Sequence, residues 1–268
     1  MELLTAVLLL AIVGLSSQAI NYCNSQLCPK GISHVACNGL STLAPSCGAG
    51  SEEIIMDEAK INLIVSLHNE LRNKVATGKQ TYARDKLYPQ ASRMATLQWS
   101  PELAAIAGAN TRRCVYGHDQ CRNTEQFKHA GQNIAQISLQ GKSVPDVVLI
   151  KQLINNWFSE YSNANPDIIA RYTNNISGPV GHFTQMVSDR TTRIGCAMVS
   201  YNQQPWEAIP LVIGIFAACI VMVNVTYIKA DAKQIPGLEF FIGKSRLVVL
   251  EKFQKKKIDK FVKKYMVL

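Results

Sequence analysis

Gly181-His-Phe-Thr-Gln-Met-Val187-Ser-Asp-Arg-Thr-Thr-Arg193-Ile-Gly-Cys-Ala-Met-Val-Ser-Tyr201 contains two short segments rich in β-branched and aromatic residues, His182 to Val187 and Ile194 to Tyr201. Turn-forming residues 188–192 separate them, so the stretch predicts two antiparallel strands. The pattern upstream is helical. From Asp57, the residues Ile61, Ile64, Val65, His68, Leu71, Arg72 and Val75 recur at helical spacing until Gly78 supplies a stop signal. Ser100-Pro101-Glu102 opens a second helix with an N-cap hydroxyl, a proline in the first turn and a carboxylate on the helix dipole, and it runs towards Cys114. A third begins near Pro145-Asp146 and sets Ile150, Leu153, Ile154, Trp157 and Tyr161 on one side. Helices first and strands late, with no βαβ alternation, predict an α+β arrangement of layers.

Towards the N-terminus, Met1-Glu2 precede an apolar run from Leu3 to Leu15, and Ser17-Gln18-Ala19 supplies small residues for cleavage. Residues 1–19 are therefore expected to be a signal peptide, with the mature chain starting at Ile20 or Asn21. In an oxidising compartment, the even count of 8 cysteines (Cys23, Cys28, Cys37, Cys47, Cys114, Cys121, Cys196 and Cys219) predicts a disulfide framework. Their spacing matches no zinc ribbon, which needs paired C-x-x-C units. Residues 20–55 are rich in Cys, Gly, Ser and Pro and show no regular period, so they read as an arm held down by disulfides. Residues 56–207 form the main domain.

Charge is unevenly distributed. The chain carries +9, but after Ile228 there are 11 basic and 4 acidic residues, so the tail alone holds +7. Residues 1–228 hold 17 basic against 15 acidic residues, a balance of +2. A nearly neutral body without a basic, aromatic-lined groove excludes nucleic-acid binding.

Four sequence elements are recognisable. Gly181-His182-Phe183-Thr184-Gln185-Met186-Val187 resembles the signature strand of the CAP superfamily, and His68-Asn69-Glu70-Leu71-Arg72 resembles its first-helix HNxxR motif. Gly131-Gln132-Asn133-Ile134 matches its G-[EQ]-N-[ILV] element. Cys114-Val-Tyr-Gly-His118-Asp-Gln-Cys121-Arg-Asn, with the four early cysteines, is similar to the antigen 5 branch of insect venoms and saliva. The resemblance runs from about Asn21 to Trp206. It implies an α-β-α sandwich with a small antiparallel sheet between helices, and disulfides Cys23–Cys37, Cys28–Cys121 and Cys47–Cys114. It also implies a secreted protein that binds an extracellular protein or a small lipid or sterol, with no catalysis expected.

The resemblance implies a cleft formed by His118, Gln132, Glu160 and His182. Glu160 has independent support: it lies three residues after Trp157 and seven after Leu153, which puts a carboxylate on an apolar helical face. A charge there requires a partner. His118, Glu160 and His182 could hold a divalent metal such as zinc, and the alternative function is a metal-dependent hydrolase using them. Gln132 cannot ionise, and no nucleophilic Ser or Cys motif accompanies the set, so a structural hydrogen-bonded cluster is the preferred reading. His68, set among Ile64, Val65, Leu71 and Arg72, reads as a core histidine, while His34 and His129 carry no signal. Asn175-Ile176-Ser177 is an N-glycosylation acceptor.

At the C-terminal side the chain departs from the resemblance. A third strand should supply a partner for Cys196, but Leu211-Val212-Ile213 stands where Leu-Val-Cys is expected, and the next cysteine is Cys219. Residues 208–228 are 21 residues without a charge, long enough for a transmembrane helix, which would make the protein single-pass with its domain outside. Because 10 of the 21 are Ile, Val or Thr, an altered third strand is the competing structure. An altered reading of the gene after Trp206, leaving no selected structure, ranks equal with the membrane span, and the strand ranks behind both. The basic tail, residues 229–268, extends a surface for membrane contact across 208–264.

Overall fold

The computed structural model describes residues 20–83, 86–140, 144–172, 178–203, 212–223, 238–243 and 246–251. The expected signal peptide 1–19, the acceptor Asn175 and residues 252–268 lie outside them. In chain order the elements are β1 (Glu52–Ile54), α1 (Glu58–Ala76), β2 (Thr81–Ala83), β3 (Lys86–Leu87), β4 (Gln98–Trp99), α2 (Pro101–Thr111), β5 (Ala130–Gln140) and α3 (Asp146–Ser159). They continue with α4 (Pro166–Ala170), α5 (Gly181–Met186), β6 (Thr191–Gln203), β7 (Val212–Val223), β8 (Leu238–Gly243) and β9 (Arg246–Glu251).

Helix boundaries follow local chemistry. Asp57 caps α1 by accepting from the Lys60 N–H at 2.9 Å, and the chain leaves the helix through Gly78 at φ +68°, a conformation that suits a residue without Cβ. Ser100 caps α2 by accepting from the Leu103 N–H. The HNxxR residues then bolt α1 in place. His68 donates Nδ1–H to the Ile64 carbonyl at 2.8 Å, and Asn69 exchanges two hydrogen bonds with the backbone of Leu97. Arg72, 1 % exposed, donates to the carbonyls of Met186, Ser188, Ala95 and Thr191.

The main sheet has five strands in the order β1-β6-β7-β5, all neighbours antiparallel, with β4 running parallel to β6 on the same edge as β1. Alternation along β6 sends Ile194, Cys196 and Met198 to one face and Val199 and Tyr201 to the other. The first face packs on Ile64 and Val75 of α1 and on Leu149, Ile150, Leu153, Ile154 and Trp157 of α3. The second packs on Leu103, Ile106 and Ala107 of α2 and on Cys47 and Cys114. The fold is thus an α-β-α sandwich. Gly195 lets α2 lie directly on the sheet: a Cβ there would collide with the Ala104 amide and the Leu103 side chain.

The first strand expected from the sequence is instead a helix. His182 to Met186 belong to α5, whose first free N–H groups, those of His182 and Phe183, donate to the Glu160 carboxylate at 2.8 and 3.2 Å. Thr184 Oγ1 donates back to the Val180 carbonyl, and Phe183 and Met186, three apart, enter the core together. Tertiary anchoring at both ends overrides the β-branched and aromatic bias of the segment.

Of the apolar run 208–228, the described residues 212–223 form a strand, and 208–211 and 224–228 lie outside the described residues. Val212–Val223 is β7, paired on one side with β6 and on the other with β5. A strand paired on both edges has all its backbone groups satisfied by its neighbours, and a run of apolar residues alone does not tell it from a membrane span. Among the described residues no helix is long and apolar enough to cross a membrane. Cys219 stands directly opposite Cys196 in the register and forms a disulfide with it, which supplies the partner that the sequence left open. The bond partner has moved along β7 rather than vanished. The remaining cysteines pair as Cys23–Cys37, Cys28–Cys121 and Cys47–Cys114, the last two spanning 93 and 67 residues.

Candidate functional site

β5 carries the residues that organise the site, one after another. Gly131 leaves room for the Gln185 side chain of α5, which a Cβ would strike. Gln132 Oε1 accepts from His118 Nδ1 at 2.7 Å, and Gln132 Nε2 donates to Asp119 Oδ2 at 2.6 Å. Asn133 Nδ2 donates to the His182 carbonyl at 3.1 Å. The G-[EQ]-N motif therefore ties β5 to two separate neighbours.

Glu160 is the C-cap of α3 and lies close to α5. Its Oε1 accepts from His182 Nδ1 at 2.8 Å, while Oε2 takes the backbone N–H groups of His182 and Phe183. Burial pushes the Glu160 carboxyl up, but the His182 ring and the two backbone donors outweigh it and hold the carboxyl below its ordinary value. Trp157 flanks the His182 ring at 6.1 Å between centroids.

The four residues singled out from the sequence form two hydrogen-bonded pairs, His118–Gln132 and His182–Glu160. Gln132 shares the α2 face of β5 with Ala130 and Ile134, whereas Asn133, the contact to His182, follows the opposite alternation with Ala135. His118, Glu160 and His182 do not converge as a metal site: among the described residues no three His, Cys, Asp or Glu side chains are placed to hold an ion. Glu160 has both oxygens engaged by His182 and backbone N–H groups, so the donor set does not fit the expected three-ligand zinc arrangement.

Two functional-looking residues escaped the sequence. Asp119, buried, pairs with Arg122 Nε at 2.7 Å and accepts from Asn110 Nδ2 at 3.0 Å. Its signal was the carboxylate–Arg spacing of three directly after His118. His34 is also buried, stacked on Tyr22, donating from Nε2 to the Asn123 carbonyl and accepting from the Ala36 N–H. No sequence signal marked it.

A second feature shares α5. A groove of about 800 Å³ is lined by Tyr88, Met94, Ile168, Ile169, Tyr172 and Val187, with Arg93, Asp189 and Arg190 at its polar side.

With this geometry in place, the family model described as "CAP: Cysteine-rich secretory protein family" matches residues 65–218. The chain belongs to the CAP family. "Venom allergen-1" of Aedes albopictus is 40% identical over 197 residues, covering 73% of this chain and 74% of the relative. "Venom allergen 5.02" of Dolichovespula maculata is 39% identical over 199 residues, covering 73% of this chain and 89% of the relative. Among solved structures, BmVAL-1 gives a TM-score of 0.49 at 23% identity, covering 63% of this chain and 79% of that one. The match to the CAP family ends at residue 218, inside β7, just before the cysteine that closes the sheet.

Proposed function

We propose that this CAP protein is secreted and acts by binding, and that its ligand is a small apolar molecule of the lipid or sterol kind rather than a substrate to be turned over. The groove beside α5 carries the reading. At about 800 Å³, walled by Tyr88, Met94, Ile168, Ile169, Tyr172 and Val187, it has the size and lining of a small-molecule site. Arg93 and Arg190 at its polar side, with Asp189 between them, give an amphipathic ligand a place for its head. Four disulfides support life in an oxidising compartment.

Catalysis finds little support. A hydrolase needs an activated nucleophile or an open metal set against an oxyanion hole, and Glu160 is already committed to a ring and two backbone amides. Both sides are tested on the full chain collected from insect-cell medium. Binding predicts saturable retention of tritiated sterol or fatty acid above a non-binding control protein. Hydrolysis predicts turnover of a peptide or ester that His182→Ala abolishes; that result would replace the binding reading.

A further inference from the structure

The two histidines are held alike at Nδ1 but by different chemistry. Opposite His182 stands a carboxylate, which only accepts, so the ring donates. Opposite His118 stands the primary amide of Gln132, which can present either its oxygen or its NH2. The group behind the amide decides. Asp119 lies 2.6 Å from Gln132 Nε2, its other oxygen is taken by Arg122 Nε at 2.7 Å, and Asn110 Nδ2 adds a third donor at 3.0 Å. A carboxylate surrounded by three donors accepts from all of them, so the amide must turn its NH2 to Asp119 and its oxygen to His118. His118 must then donate from Nδ1.

We infer that Asp119 is a positioning residue for His118, acting through the Gln132 amide to fix the ring as its Nδ1–H tautomer and leave Nε2 as a hydrogen-bond acceptor. The Asp119 side chain is only 3% exposed, so the relay is built into the fold and not a surface accident. His118 itself is exposed. With Nδ1 turned inward, its Nε2 offers a lone pair to a donor such as a hydroxyl or an amine and disfavours a carboxylate oxygen. His118 does not line the groove beside α5, so neither this preference nor the tautomer assignment depends on the binding reading above.

The test is long-range ¹H–¹⁵N correlation of the imidazole nitrogens on the full, ¹⁵N-labelled chain at pH 8, where an ordinary histidine of pKa about 6.5 is neutral. In the unaltered chain His118 should show a protonated Nδ1 and a bare Nε2, the same pattern as His182. In Asp119→Asn, Arg122 keeps the new amide's oxygen on its own side, so the NH2 faces Gln132. Gln132 then turns over and presents its NH2 to the ring, and the His118 pattern reverses while that of His182 stays. Gln132→Glu should keep the unaltered pattern. A protonated Nε2 on His118 in the unaltered chain overturns the inference even if no variant folds. So does a folded Asp119→Asn chain whose His118 pattern is unchanged. A chain that shows the expected pattern yet retains no lipid would count against the proposed function and leave the relay standing.

Discussion

Arg72 is buried and, among the described residues, has no carboxylate within salt-bridge distance; its two terminal nitrogens donate to four backbone carbonyls, while Nε has no partner. Burial draws its pKa down to about 10, which leaves it charged at neutral pH. Arg72→Met would strand those carbonyls as well as the contacts of α1, and hydrogen bonds to charged groups contribute about 1.5–3 kcal/mol each, so a loss of at least about 3 kcal/mol in urea unfolding is expected. A variant within 1 kcal/mol of the unaltered chain would contradict that role. Buried His68 and His34 make a second prediction at this scale. Burial brings His68 down to about 4 and lowers His34 as well. His68 stays neutral in the fold while the unfolded chain takes up protons near pH 6.5, so stability is full above that pH and declines as pH falls towards 4, and the lowering at His34 acts in the same direction. The His68 share of that decline is about 3 kcal/mol. Glu160, held below its ordinary value, adds to the loss only at lower pH, below the unfolded carboxylate value of about 4.3. Urea midpoints at pH 7.5, 5.5 and 4.5 check it, and His68→Gln should flatten the profile. The sequence shows His68 as a core residue because its neighbours at helical spacing are apolar. His34 is illegible because its partner Asn123 is brought close only by tertiary folding, and for Asp119 the local spacing to Arg122 was there to read but the contact to Gln132 was not.

The three long helices and β6 were visible in the sequence because caps and apolar periodicity act locally. α5 was not: its six residues bury only Phe183 and Met186, and its N-terminus depends on Glu160, 22 residues away in sequence. Glu160→Ala should therefore leave two backbone N–H groups without their acceptor and cost about 1–3 kcal/mol, with exchange protection lost first at residues 181–187. Unchanged hydrogen exchange at those residues would refute the cap. β7 was ambiguous for the opposite reason: an apolar central strand and a membrane span share the same composition. Only pairing distinguishes them, and its chemical mark is the Cys196–Cys219 bond between register partners 23 residues apart. Replacing both cysteines by serine should cost about 3 kcal/mol on chain-entropy grounds. Gly195→Ala should cost about 1–3 kcal/mol or more by forcing α2 off β6.

At the scale of the molecule, element order made the α+β class legible and the family resemblance implied the sandwich; residues 20–55 were legible as a disulfide-held arm, but not their course, because they have almost no regular structure and depend on long-range bonds. Cys28–Cys121 and Cys47–Cys114 hold the arm against the end of α2 and the segment after it, each worth up to about 4–5 kcal/mol in the chain-entropy model. The functional cluster was legible as residue types but not as geometry: the sequence suggested one cleft, and the hydrogen bonds join its residues as two pairs, His118–Gln132 and His182–Glu160. The most direct test of this account is equilibrium binding of tritiated cholesterol and of a labelled long-chain fatty acid to the full chain purified from medium. Saturable retention, displaced by unlabelled ligand and absent from a control protein, is the predicted result. Retention no higher than the control for either ligand would contradict it.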